Sequence, residues 1–327
     1  MRQWRLAGLA LAGLSAALAL WITWQLGPLA SGPPPQGTIV QGDGFPRVLI
    51  DQAGRRVVLP HKPVRIISLT LATDEILLAL VERARLLAVT YLAVDERVSN
   101  MPREAAAVPH NIRADVEQII ALQPDLVVVA SYTRGEVVKL LQDMGLVVFQ
   151  FQEFESIAAI QENIRLVSQA VGEEARAEAL IRAMNTRLRA VAGRLPHGRP
   201  RPRVLYWGPR GLTGGSNTSL HDLITHAGGE NLAATHGIVG FGNLSAEHML
   251  AMNPEVIFTG GEGREAQPGL PAFLLPPGVQ TVDALKHARV FMLPTRYLVT
   301  ISHFIVNGVE ELARVLHAEP TMRGEGL

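Results

Sequence analysis

The sequence EEARAEALIRAMNTRLRAVAGRL, residues 173–195, carries the strongest helical pattern of the chain. Its apolar residues recur at helical spacing, and its arginines fall mostly on the opposite face. Gly172 precedes the run, and Gly193 and Pro196 interrupt its end. About twenty helical residues form a rod of roughly 30 Å, which is long enough to join two lobes. The alternative is an ordinary surface helix of one large domain.

A repeated pattern on either side of this helix favours the connecting role. Residues 117–128 (EQIIALQPDLVV) and 247–258 (EHMLAMNPEVIF) both read as a helix end, a proline, an acidic residue and a buried strand. Each half also opens with a short strand-like run soon after a proline, at residues 65–69 and 203–207. Because both patterns recur in the same order, they predict two similar α/β lobes.

Strand-like and helix-like segments alternate along both halves, which is typical of parallel sheets covered by helices. We therefore predict an α/β fold in which two lobes with parallel sheets are joined by one long rigid helix. The predicted boundaries are 45–171 for the N-terminal lobe, 172–195 for the helix and 199–319 for the C-terminal lobe. The first helix of the N-terminal lobe is expected to begin at Asp74, with Thr73 as its N-cap.

Composition excludes several classes of function. The chain has 327 residues with 30 basic and 30 acidic side chains, so its net charge provides no general attraction to nucleic acid or to anionic membrane. It contains no cysteine, which excludes disulfides, thiolate metal sites, thiol nucleophiles and a lipid anchor on cysteine. We expect no nucleic-acid partner, and we expect the protein to be a monomer.

The first 37 residues are expected to direct export rather than to join the fold. Two arginines precede an uncharged run at residues 6–26, and a proline-rich linker follows it. The run is close in length to the ~20 residues that span a bilayer. A cleaved signal and a retained anchor in the inner membrane therefore both stay open. Either one predicts a periplasmic location.

Large aromatic side chains collect at the predicted carboxyl ends of the strands in both lobes, where open parallel sheets bind ligands. Such side chains are typical of a cleft for a flat or bulky ligand, and aromatic packing in a hinge is the alternative. The candidate ligand-binding residues at these ends are Thr70, Tyr91, Tyr132, Trp207, Arg210 and Tyr297.

Several short motifs resemble one family. They are RIISL at residues 65–69, the helix start at 73–74, IIALQPDLV at 119–127 and GGENL at 228–232. In this order they resemble the periplasmic substrate-binding proteins of ABC importers for cobalamin, haem and ferric siderophores, and the similarity covers residues 47–318. The resemblance implies two Rossmann-like lobes that hold a chelated metal or tetrapyrrole between them, and an ABC importer permease as partner. Iron or cobalt would then belong to the bound ligand, without a resident cofactor.

Histidines are the second group of candidate residues. A sister family that binds free zinc or manganese uses histidines and carboxylates at strand ends, and such a binding protein is the alternative reading. His221 and His226 are five residues apart, which does not put two ligands on one helix face. His303 is the best candidate for an axial ligand to haem iron or corrin cobalt, and Tyr91 or Tyr132 could serve a haem equally. A purely structural histidine is the remaining interpretation.

A glycine-rich segment at residues 211–219 is the feature that most suggests an enzyme, since glycines let backbone amides approach an anion. It lacks the lysine of a P-loop and the GxGxxG spacing, and the chain has no Gly-x-Ser-x-Gly elbow. We therefore expect binding rather than catalysis, and keep an exported α/β enzyme as the lesser alternative. In the resembled family this segment is a loop near the ligand, which makes Thr213 and Asn217 hydrogen-bonding candidates.

The resemblance also implies two docking glutamates. In the cobalamin-binding members an exposed glutamate on each lobe meets arginines of the permease. Glu230 matches the motif of the C-terminal lobe. In the N-terminal lobe Ala106 stands at the expected position, and Glu104, two residues earlier, is the candidate replacement.

Overall fold

The computed structural model describes two α/β lobes and the helix between them. The predicted export segment, residues 1–37, lies outside the part of the chain that the model describes, as does residue 319 at the predicted end of the C-terminal lobe. The described residues are 39–41, 44–152, 154–263, 265–269 and 275–318.

The N-terminal lobe is built on a parallel sheet, preceded by a small antiparallel sheet. The small sheet contains β1 (Ile39–Gln41), β2 (Arg47–Ile50) and β3 (Arg56–Leu59). The parallel sheet contains β4 (Ile66–Ser68), β5 (Leu86–Thr90), β6 (His110–Ile112), β7 (Leu126–Ala130) and β8 (Val148–Phe151). Its spatial order is β6-β5-β4-β7-β8, so the first strand lies at the centre. The helices of this lobe are α1 (Leu71–Leu80), α2 (Pro102–Ala106), α3 (Val116–Ala121), α4 (Gly135–Asp143) and α5 (Ile157–Val171).

Helix α1 begins earlier than the sequence predicts. Its N-cap is Thr70, whose Oγ1 accepts a hydrogen bond from the backbone N–H of Thr73 at 3.3 Å. Thr73 lies inside the first turn, and its hydroxyl is 2.6 Å from that of Ser68. The prediction of Thr73 as the cap is therefore wrong, because two threonines three residues apart offer the same cap chemistry and only packing against β4 selects between them.

The connecting helix α6 spans Glu174–Ala192, and its 19 residues confirm the predicted rod between the lobes. Its first residues are held by the N-terminal lobe, where the Arg85 guanidinium is 2.6 Å from the carboxylate of Glu173. Its second half is held by the C-terminal lobe, where Arg187 donates to Glu310 at 2.6 and 2.8 Å. One helix is thus tied to both lobes by ion pairs at its two ends.

The C-terminal lobe repeats the architecture with two additions. Its main sheet has the order β11-β9-β13-β15-β14, in which β14 alone pairs antiparallel, and β10 pairs with β12 in a separate two-stranded sheet. The strands are β9 (Arg203–Tyr206), β10 (Leu212–Gly214), β11 (Glu230–Asn231), β12 (Phe241–Asn243), β13 (Val256–Gly261), β14 (Gln267–Pro268) and β15 (Val290–Pro294). The helices are α7 (Ser219–His226), α8 (Leu232–Thr235), α9 (Ala246–Met252), α10 (Asp283–Lys286), α11 (Thr295–Leu298) and α12 (Ile305–Leu316).

The repeated proline and acidic residue have the same role in both lobes. The carboxylate of Asp125 accepts hydrogen bonds from the backbone N–H groups of Val64 and Arg65, at 2.7 and 3.0 Å. In the C-terminal lobe the carboxylate of Glu255 accepts from the backbone N–H of Arg203 at 2.9 Å. Each carboxylate therefore satisfies backbone donors at the start of the neighbouring first strand, which explains why the pattern recurs.

One hydrophobic core runs through both lobes. It contains buried residues of the N-terminal sheet such as Ile66 and Val128, residues of α6 such as Ile181, and residues of the C-terminal lobe such as Phe258 and Leu312. A continuous core of this kind resists large relative movement of the lobes, because movement would open voids in densely packed apolar contacts.

Candidate ligand-binding cleft

A cavity of about 740 Å³ lies at the carboxyl ends of the strands of the N-terminal lobe. This is the edge at which open parallel sheets bind ligands, and the volume suits a small organic molecule. Three of the predicted ligand-binding residues, Thr70, Tyr91 and Tyr132, line it. The structure brings these three together because each follows a strand, β4, β5 or β7, that ends at this edge.

Tyr91 forms one side of the cavity. It follows β5 directly, and 42% of its surface is exposed. The guanidinium of Arg113 lies over its ring, with the Arg113 Cζ atom 4.0 Å from the ring centroid. Stacking on the ring leaves the edges of the guanidinium free to donate hydrogen bonds, so the pair presents an aromatic surface and a positive charge together.

Tyr132 forms a second aromatic surface beyond the end of β7. It is 58% exposed, and its ring is 5.6 Å from that of Phe154, centroid to centroid. Arg134, two residues further along, also lines the cavity. Exposed rings at the end of a buried strand are costly in water unless a ligand covers them, which is typical of a binding wall.

A buried carboxylate lies directly behind this wall. Asp74 on α1 is fully buried and accepts hydrogen bonds from the N–H and the hydroxyl of Thr90, at 3.2 and 2.5 Å. Burial raises the pKa of Asp74 to about 7, and the hydrogen bonds from Thr90 oppose that rise only in part. Because Thr90 lines the cavity, Asp74 holds one of the cavity residues in place.

The predicted residues near β9 in the C-terminal lobe are arranged differently. Trp207 is 4% exposed and packs in the core of its lobe, so its ring is not presented to a ligand. Arg210 is exposed at a left-handed φ of 57°, and its carbonyl accepts from the side-chain amide of Asn243 at 3.0 Å. Thr213 is fully buried in β10, and its Oγ1 has no hydrogen-bond partner among the described residues. Asn217 is exposed at a φ of 58°.

Tyr297 and His303 lie where the C-terminal lobe meets its neighbours. The Arg296 guanidinium covers the ring of Tyr297, with Cζ 4.7 Å from the centroid. The His303 ring packs on Phe304 at 4.0 Å between centroids, and its Nδ1 is buried without a partner in the described chain. Burial and the charge of Arg187 lower the pKa of His303 to about 4, so the imidazole is neutral at physiological pH. Neither residue lines the cavity that holds Tyr91 and Tyr132.

The sequence analysis missed the two cavity arginines. Arg113 follows β6, a strand of three residues that has too little periodicity to be recognised. Once that strand is known, the rule that ligands bind beyond strand ends identifies Arg113 in the same way as Tyr91. Arg134 had a signal in the sequence, since it stands two residues after Tyr132 at an end that was recognised.

The two candidate docking glutamates lie on different elements. Glu230 is the first residue of β11, is half-buried, and pairs in register with Arg203, the first residue of β9. It therefore stands at the amino end of the sheet, away from the strand ends. Glu104 is exposed on the short helix α2.

The described residues were also searched for metal centres and membrane spans. Within them, no group of three or more His, Asp or Glu side chains is arranged to hold a metal ion. No helix in the described ranges is long and apolar enough to cross a membrane.

Two lobes, one connecting helix and a cavity at the strand ends together define a two-lobe solute-binding protein. A family model for periplasmic binding proteins matches residues 66–297. The chain therefore belongs to the periplasmic binding protein family. Members of this class bind a solute outside the cytoplasmic membrane and deliver it to an ABC importer, so the predicted family, two-lobe fold and non-catalytic role are confirmed.

Relatives and solved structures agree with this assignment. The chain is 28% identical over 309 residues to a cobalamin-binding protein of Halobacterium salinarum, covering 92% of this chain and 82% of that protein. It is 26% identical over 267 residues to the molybdate-binding protein MolA of Haemophilus influenzae, covering 75% and 73%. The apo structure of the periplasmic haem-binding protein RhuT from Roseiflexus sp. RS-1 superposes with a TM-score of 0.65 at 26% identity, covering 77% of this chain and 97% of RhuT.

Proposed function

We propose that this protein binds a chelated metal or tetrapyrrole with acidic groups, in the cleft bordered by Tyr91 and Tyr132, and delivers it to an ABC importer. The observation that carries the proposal is the stack of Arg113 on Tyr91 beside a second exposed tyrosine in one cavity of about 740 Å³. Two ring faces offer apolar surface to a macrocycle or an aromatic chelator. The guanidinium groups of Arg113 and Arg134 suit the carboxylates or phosphates that such ligands carry.

Tyr91 is the better candidate for an axial ligand to a bound metal. It lines the cavity and keeps part of its surface exposed, whereas the His303 ring is packed against Phe304 and is held neutral by burial. A tyrosine oxygen is one of the axial ligands that proteins supply to haem iron. Thr70 is less available, since its hydroxyl caps α1.

The names of the relatives support a ligand of this class and add a second candidate. One relative is a cobalamin-binding protein and one similar structure is a haem-binding protein, which supports a tetrapyrrole. The MolA relative binds molybdate, and the two arginines that line the cavity are the observation that favours an oxyanion here as well. An oxyanion has no use for two exposed aromatic rings, so the tetrapyrrole or chelate is the first choice.

A binding screen tests the proposal. The purified protein is titrated with haemin, cobalamin and a ferric siderophore, and separately with molybdate, zinc and manganese, while absorbance and Trp fluorescence are followed. The expected result is tight binding of one chelate and weak binding of the bare ions. Tight binding of zinc, manganese or molybdate with none of the chelates would overturn it.

Docking and anchoring belong to the same proposal. Glu230 and Glu104 are the proposed contacts of the two lobes with the permease, by the match of Glu230 to the family motif and the exposure of Glu104. Residues 6–26 are proposed either to be removed with the signal or to keep the monomeric protein on the inner membrane. The mass of the protein recovered from the periplasm and from washed membranes distinguishes the two outcomes.

A further inference from the structure

A carboxylate of the N-terminal lobe is bonded directly to the C-terminal lobe. Glu75 on α1 is fully buried. Its Oε2 accepts hydrogen bonds from the hydroxyls of Thr300 and Ser302, at 2.7 and 2.5 Å. Its Oε1 accepts from the N–H and the side-chain amide of Asn100, at 2.8 and 2.9 Å. Four donors thus converge on one carboxyl group, two from each lobe.

Asn100 extends the same connection. Its side-chain amide donates to the backbone carbonyl of Arg296 at 3.1 Å, in addition to its bond to Glu75. Two side chains of the N-terminal lobe therefore hold the segment of the C-terminal lobe between residues 296 and 302. This segment contains the end of α11 and leads into α12, so it lies just after the strand end at β15.

The position of Glu75 is costly unless both lobes supply donors. A carboxylate loses its hydration when it is buried, and hydrogen bonds must replace that hydration. If the C-terminal lobe rotates, Oε2 loses Thr300 and Ser302 together and is left without those donors. Neighbouring Asp74 lacks this dependence, because its bonds to Thr90 lie within the N-terminal lobe. The penalty on rotation therefore belongs to Glu75 specifically.

We propose that Glu75 is a positioning residue for ligand binding, which fixes the orientation of the two lobes through Thr300 and Ser302 and so sets the width of the cleft. Helix α6 joins the lobes at one place, and a single helix alone leaves rotation about its axis unrestrained. The bonds of Glu75 supply a second attachment, which restricts that rotation. The effect on ligand affinity rests on the proposed function, whereas the effect on lobe orientation does not.

The absence of cysteine makes lobe orientation directly measurable. Leu140→Cys on α4 and Leu250→Cys on α9 place one spin label on an exposed position of each lobe. Distance distributions are recorded by pulsed electron paramagnetic resonance on the full-length, ligand-free protein. The test variant is Thr300→Val combined with Ser302→Ala, which removes both hydroxyls with little change in volume.

The expected result is a narrow distribution in the labelled parent and a broadened or displaced one in the test variant. Thr300→Ser, which keeps a hydroxyl, should restore the parent distribution, and Asp74→Asn is the matched control that should leave it unchanged. A test variant with the parent distribution would overturn the proposal. If the double variant fails to fold, Thr300→Val alone is measured against the same two outcomes.

Ligand affinity supplies the second measurement. When the binding-competent orientation falls to about one tenth of the population, apparent affinity falls about tenfold. Haemin titration of the test variant should therefore show about tenfold weaker binding than the parent, again with rescue by Thr300→Ser. If the parent binds no chelate, the proposed function fails, and the distance distributions still decide the role of Glu75.

Discussion

The two lobes share a topology but present different walls to the cleft. In the N-terminal lobe the chain passes from β5 and β7 straight into exposed Tyr91 and Tyr132. In the C-terminal lobe the chain leaves β9 through buried Trp207 and then forms the β10–β12 pair, which carries the exposed ring of Phe241. A strand end therefore predicts a ligand contact where the following residues stay at the edge. Where a hairpin is inserted, it covers the strand end and supplies the surface itself.

The largest expected difference between the lobes concerns the permease. Glu230→Arg should abolish transport while leaving ligand affinity unchanged, because reversing a charge at a paired docking contact introduces repulsion. Glu104→Arg should only weaken transport, since it replaces a family glutamate that stands two positions away. Uptake by cells that depend on this protein is the measurement, with ligand titration as the control. Full transport by Glu230→Arg would show that the C-terminal lobe does not dock in this way.

The cleft walls should differ next most strongly. Tyr91→Ala is expected to weaken ligand binding about 30-fold, or about 2 kcal/mol, because it removes both the ring face and the support of Arg113. Tyr297→Ala should lose only about fivefold, since Arg296 covers that ring and it does not line the cavity. Isothermal titration with the ligand found in the screen measures both, and Tyr91→Phe separates stacking from coordination. A larger loss at Tyr297 would reverse the assignment of the principal wall.

The lobes should also respond to pH with opposite signs. Burial raises the pKa of Asp74 from 3.8 to about 7, so its contribution is fully present below pH 3.8 and is lost as the pH rises through 7. Burial lowers the pKa of His303 from 6.5 to about 4, so its contribution is present above pH 6.5 and is lost as the pH falls to 4. Each effect has a limiting slope of about 1.4 kcal/mol per pH unit.

Substitution separates these two effects. In Asp74→Asn the His303 effect remains, so the free energy of unfolding should rise between pH 4 and 6.5. In His303→Phe the Asp74 effect remains, so the same quantity should fall between pH 4 and 7. Urea unfolding across this range gives both curves. Identical pH profiles for the two variants would contradict the opposite pKa shifts.

The smallest expected effect compares the two acidic residues that follow the repeated prolines. Asp125→Ala should cost about 2 kcal/mol and Glu255→Ala about 1 kcal/mol, because Asp125 accepts two backbone hydrogen bonds where Glu255 accepts one. Asp143→Ala, which breaks an exposed ion pair with Lys139, is the control and should cost under about 0.5 kcal/mol. Urea unfolding at constant pH orders the three. Equal losses at Asp125 and Asp143 would show that the carboxylate does not secure the first strand.

The sequence by itself determined the features that depend on local spacing. The period of apolar residues predicted α6, the repeated proline and acidic residue predicted two similar lobes, and the strand ends after β5 and β7 identified Tyr91 and Tyr132. These signals lie within one element or one turn, where periodicity and turn chemistry act directly. The family resemblance then supplied the class of protein, which the family match confirmed.

Only the tertiary structure decided which side chains meet across the fold. It buried Trp207, brought Arg113 onto Tyr91 from another strand, and joined Glu75 to Thr300, which is 225 residues away in the chain. No local pattern encodes such contacts, because they depend on how α1 and the segment before α12 are packed by the shared core. Spacing along the chain specifies the elements, and burial with its demand for hydrogen-bond partners specifies which of them touch.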